Sequence, residues 1–232
     1  MSKRYSLSAS PNKRETINGW VYLVFQLLAL PGILAWMNGQ LPHPLSEAEI
    51  NFVFFGINFL AVLMIFHDYL SRSAGLIWAH PIRFLEAVIL GVAFYQLSDW
   101  CIDHLLDWLA PGYTNVNDDA IAALFQGNYF LMAIGTVVLV PLAEECFYRG
   151  LIFRNLYSTS RIAAYLISMT VFSLIHIVGY IGSASPWNLV ICFLQCLPAG
   201  LCLAWSYTRA DTIFAPIVIH ALINAWGIYQ LR

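Results

Sequence analysis

Apolar runs long enough to cross a bilayer recur along this chain, separated by short polar stretches. Seven segments qualify: Trp20 to Met37, Ile50 to Phe66, Phe84 to Ser98, Asn128 to Tyr148, Ile162 to Ile181, Trp187 to Thr208 and Thr212 to Leu231. About 20 predominantly apolar residues cross a bilayer core. The third is short, because Glu86 lies inside it and its uncharged run extends only from Ala87 to Ser98. The pattern predicts an all-α, polytopic membrane protein of about seven transmembrane helices. Residues 1–19 read as a basic cytoplasmic tail, disordered ahead of the first anchor, and residues 20–232 as a single membrane domain.

Composition agrees with the pattern. Hydrophobic residues make up 60% of the chain and charged residues 10%, and the mean hydropathy is +0.69. A soluble domain is closer to half apolar and a quarter charged. Basic residues collect in cytoplasmic loops. With the N-terminus inside, Lys3, Arg4, Lys13, Arg14, Arg72, Arg83, Arg149, Arg154, Arg161 and Arg209 all fall on the cytoplasmic side, and only Arg232 falls outside. The opposite connections carry Glu47, Glu49, Asp99, Asp103, Asp107, Asp118 and Asp119 without a base. The expected location is a prokaryotic plasma membrane, with lipid as the surroundings and no nucleic-acid partner.

The polar connections carry little chemistry of their own. Between Trp100 and Gly127 the spacing of Asp99, Asp103 and Asp107 predicts an amphipathic outer helix, ended by a turn at Pro111-Gly112. Asp103, His104 and Asp107 could hold a metal, but a solvated acidic face explains them. Glu86, three residues after Arg83, reads as its surface partner. The five cysteines form no C-x-x-C pair and read as buried thiols.

The candidate chemistry lies in three later spans. Ionisable side chains at membrane depth are costly and mark function. Glu145 and Arg149, four apart on a helix, share a face and can pair, while Glu144 points about 100° away toward a polar cavity. A poorly solvated carboxylate there suits a general base. Phe172 and His176 lie in the fifth span, and His220 and Asn224, again four apart, in the seventh. Measured from Arg154, Arg161 and Arg209 at about 1.5 Å per residue, Glu144 lies ~15 Å deep, His220 ~16 Å, and His176 and Asn224 ~22 Å. This convergence requires the motif helix to start at Gly127-Asn128 rather than Ala120. Pro141 is expected to kink it.

The ordered set Glu144-Glu145-x-x-x-Arg149, Phe172-x-x-x-His176 and His220-x-x-x-Asn224 resembles the CAAX-protease and bacteriocin-processing family of intramembrane proteases. That family includes the Ras-converting type II CAAX prenyl endopeptidase. The resemblance covers residues 128–231. It implies an endopeptidase in which Glu144 and His176 activate water and His220 and Asn224 stabilise the oxyanion. Glu145, Arg149 and Phe172 support the site. It also implies a membrane-anchored peptide or protein substrate, with or without a lipid. Two mechanisms remain open: a glutamate-type reaction without a cofactor, and a zinc-dependent one with Glu144, His176 and His220 as ligands. No H-E-x-x-H helix or G-x-S-x-G element is present. A rival reading is a non-enzymatic immunity or scaffold protein. Another is a small transporter with the polar cluster as its ion site.

Overall fold

The computed structural model describes residues 6–230. Among these it forms ten helices and no strand beyond one isolated bridge, Ile181 to Ala184. The helices are α1 (Lys13–Leu28), α2 (Leu30–Gly39), α3 (Glu47–Ile65), α4 (His67–Ala79), α5 (Pro81–Leu109), α6 (Val116–Gly127), α7 (Tyr129–Tyr157), α8 (Arg161–Val178), α9 (Pro186–Ala210) and α10 (Phe214–Gln230). α9 packs against both α5 and α8, α10 closes on α5, α7 and α9, and α3 covers the far side of α7. Large apolar side chains such as Ile89, Phe130 and Ile162 remain exposed on the outside, as a bundle solvated by lipid requires.

Among the described residues, five helices are long and apolar enough to cross a membrane, or six if the bent pair α1 and α2 forms one span. The chain is therefore an integral membrane protein, but a count of seven is not confirmed. The first expected span is broken by 47° at Ala29. Pro31, which has no N–H to continue the ladder, starts the new helix. The last span begins at Phe214 instead of Thr212 and has 17 residues, because the Thr212 hydroxyl is drawn to the Ser73 carbonyl at 2.8 Å.

The third span is longer than expected. α5 runs for 29 residues, so Asp99, Asp103 and Asp107 continue the spanning helix and do not form a separate outer one. Nothing between Pro81 and Pro111 breaks the helix, and the turn comes where Gly112 adopts a φ of 77°. Glu86 pairs with Arg209 at 2.8 Å, not with Arg83. Arg83 is drawn instead to the Arg209 carbonyl, because α5 and α9 pack side by side.

Residues 6–12 are not a free tail. Leu7 and Ala9 are buried in the main core cluster, and the Ser8 amide donates to Asp211 at 2.8 Å. Arg72 donates to the Ser10 carbonyl at 2.8 Å. α1 starts at Lys13, within the expected tail, because Asn12 and Glu15 form a reciprocal capping box. The buried Glu15 carboxylate also accepts from the Tyr69 amide at 2.7 Å. The expectations for Lys3, Arg4, Leu231 and Arg232 lie outside the described residues.

α7 begins where the depth argument required. Asn128 ends α6 and caps α7, its side chain accepting from the Leu131 amide at 3.2 Å. Two wide π-helical turns interrupt α7, at Gly135–Leu139 and Cys146–Phe153. Such turns cluster at functional sites, and these two bracket the paired glutamates.

Candidate active site

α7 turns its two adjacent glutamates to different environments. Glu145 and Arg149 are fully buried and pair at 2.9 Å, as their spacing of four predicts. Arg149 Nη2 donates to the Gly200 carbonyl of α9 at 3.0 Å, and the guanidinium carbon lies 4.6 Å from the centre of the Phe172 ring on α8. A cation over an aromatic face is stabilised further once water is excluded. Arg149 thus joins three helices. Glu144 instead faces the central cavity, and its Oε2 is buried without a hydrogen-bond partner.

Both histidines direct Nδ1 at an acceptor and leave Nε2 for the cavity. His176 Nδ1 is 2.7 Å from the Phe172 carbonyl one turn back. A carbonyl only accepts, so Nδ1 carries the proton there. His220 Nδ1 is 2.9 Å from Glu145 Oε1, a contact the sequence reading did not contain. Its Nε2 is 4.0 Å from Glu144 Oε2, too long for a hydrogen bond. Asn224 Nδ2 donates to the Thr136 carbonyl on α7 at 2.7 Å.

Glu144, His176, His220 and Asn224 line one cavity of about 580 Å³, and Phe172 forms part of its wall. Glu145 and Arg149 lie behind that wall. Several lining residues were missed in the sequence. Thr136 is one, and its signal was legible: Met132, Thr136, Val140 and Glu144 recur every four residues and all face the cavity. Tyr95, Asp99 and Asp103 repeat the same spacing on α5 and also line it. The acidic stripe therefore turns inward at Asp99 and Asp103. Gln195 Nε2 donates to Asp103 at 3.0 Å, and Gln195 Oε1 accepts from Asn115 at 2.7 Å. Asp118 on α6, itself exposed, also lines the cavity. Partial desolvation raises its carboxyl pKa from the ordinary aspartate value, and Asp119 and Asp103 add to the rise against a hydrogen bond from Asn117.

The donor chemistry of Glu144, His176 and His220 suits zinc, since each imidazole has its second nitrogen held by an acceptor. Their placement does not fit. Among the described residues no three His, Cys, Asp or Glu side chains are grouped to hold a metal ion. The same applies to Asp103, His104 and Asp107: Asp103 accepts from Gln195, and exposed His104 turns back to the Trp100 carbonyl at 2.8 Å.

Fold and site together define a polytopic helical membrane protein that encloses a carboxylate, two imidazoles and a carboxamide in one internal cavity. Residues 126–226 match the family described as Type II CAAX prenyl endopeptidase Rce1-like. This match to a protease family bears out the resemblance carried by the three motifs and covers all of them. No curated protein and no solved structure matches the chain.

Proposed function

We propose that this protein is an intramembrane endopeptidase of the glutamate type, acting without a metal on a membrane-associated peptide or protein tail. The observation that carries this reading is the Glu144 carboxylate, with a buried oxygen left unpartnered in a cavity it shares with His176, His220 and Asn224. That carboxylate faces open cavity volume, where a water and a scissile carbonyl can reach it, as a general base requires.

In this reaction Glu144 takes a proton from water as the water oxygen attacks the scissile carbonyl carbon. The free Nε2 of His176 accepts a hydrogen bond and orients that water. The carbonyl oxygen becomes an oxyanion, held by Asn224 and by Nε2–H of His220. Collapse reforms the carbonyl and breaks the C–N bond, while the proton held by Glu144 passes to the leaving nitrogen. For His220 to donate through Nε2 while Nδ1–H donates to Glu145, its ring must carry both protons. Glu144 and Glu145 then balance the charges of Arg149 and His220 within this group of four. Preorganised donors of this kind contribute about 2.7–4 kcal/mol each to an oxyanion.

A cavity of about 580 Å³ falls within the range of ligand pockets. The proposed setting is a prokaryotic plasma membrane, with the N-terminus and the basic helix ends in the cytoplasm. The test is cleavage of a library of membrane-tethered peptides by the purified protein in lipid, comparing wild type with Glu144→Gln, each with and without a strong chelator. Cleavage lost in the variant and kept in chelator is expected. Loss in chelator with recovery on adding zinc would overturn the metal-independent reading. Equal activity of wild type and variant would overturn the role of Glu144.

A further inference from the structure

Asn224 donates its amide to a main-chain carbonyl in the middle of an apolar helix, where carbonyls are normally consumed by the helix itself. Thr136 has two possible helical donors. In the α register its partner is the Val140 N–H, but that group goes to Gly135, five residues back, as part of the π turn. In the five-residue register its partner is residue 141, a proline with no N–H. The Thr136 carbonyl therefore lacks both, and the Asn224 amide fills the gap at 2.7 Å.

We infer that Pro141 is a positioning residue for Asn224, acting through the Thr136 carbonyl. The inference rests on the proposed oxyanion role of Asn224 and names what aims it. Because a carbonyl only accepts, Asn224 must present Nδ2 to Thr136, which fixes the orientation of the amide. One N–H is consumed and the other is directed into the cavity that Asn224 lines. Without the proline, the N–H of residue 141 would reach the same carbonyl and compete with Asn224. The side chain would then be free to turn, and its second N–H would lose its aim.

Pro141→Ala tests this directly. Alanine is the better helix former, so the variant is expected to fold with an unchanged or raised thermal midpoint. Its kcat should fall about tenfold to a hundredfold, somewhat less than full loss of an oxyanion donor, with KM unchanged. In an Asn224→Ala background the same substitution should have no further effect. Equal losses in both backgrounds would overturn the inference, because they would make Pro141 independent of Asn224. A turnover-free reading comes from the Asn224 side-chain amide, followed by NMR in lipid nanodiscs. In wild type one of its two protons should be protected from exchange, and Pro141→Ala should remove that protection. An unchanged resonance would overturn the inference whether or not the protein cleaves peptides. Failure of the proteolytic reading shows separately, as a wild type no more active than Glu144→Gln.

Discussion

Glu145 Oε1 accepts from Arg149 Nη1 and from His220 Nδ1, each at 2.9 Å. One buried carboxylate oxygen thus links α7 to α10, while the guanidinium it neutralises reaches α9 and stacks on α8. The polar network that holds the bundle together is the one that aims His220.

Arg149→Ala removes the guanidinium that pairs with the buried Glu145 and leaves it with His220 alone. The expected loss is about 3–5 kcal/mol, read as a large drop in thermal midpoint in nanodiscs. Arg149→Lys keeps the charge but loses the planar fork that serves Glu145 and Gly200 together. It should fall between wild type and alanine, and a lysine variant as stable as wild type would contradict the network.

Glu144→Gln and Glu145→Gln should separate cleanly, although the residues are adjacent. The first removes a cavity-facing base without a hydrogen-bond partner on that oxygen. Its thermal midpoint is expected to fall far less than that of Glu145→Gln, while cleavage is lost. The second removes the anion shared by Arg149 and His220 and should lower stability and activity together, as thermal midpoint and turnover measured on one preparation would show.

Gly200 lies where α8 and α9 touch. A Cβ there would come within 2.9 Å of the Met169 backbone. Gly200→Ala should force the helices apart and move the carbonyl that accepts from Arg149, costing about 1–3 kcal/mol. Gly179→Ala, with open space around the added carbon, is the control and should leave the thermal midpoint nearly unchanged.

Asp118 gives a dependence on pH with a definite sign. Its folded carboxyl keeps its proton to a higher pH than an unfolded one. Relative to Asp118→Asn, wild-type stability is therefore complete below the ordinary carboxylate range and is lost as pH rises through the folded value. The variant should match wild type near pH 3 and have the higher thermal midpoint at pH 7. The opposite ordering at pH 7 would show Asp118 to be stabilised as an anion.

The paired motif residues were legible because helical spacing is local. Glu145 with Arg149 and His220 with Asn224 share faces by periodicity, and a start of the motif helix at Gly127-Asn128 followed from a depth limit. The contact between His220 and Glu145 was not legible, since it spans two helices with no sequence relation between them. The acidic stripe of α5 was misread for a similar reason. Periodicity shows that Asp99 and Asp103 share a face, but whether that face meets water or the cavity depends on where α9 presents Gln195. The break at Ala29 has a local signal in Pro31, which lies within continuous hydrophobicity on both sides.

The sequence by itself determined the membrane class, most of the helices and the motif residues of the candidate site, because hydropathy and helical periodicity act over a few turns of one helix. Only the tertiary structure decided which partner each buried polar group takes. In an interior without water those groups must find one another, and the pairing depends on how the helices pack. That is why Glu145 holds His220, Thr136 holds Asn224, and Glu144 is left facing the cavity.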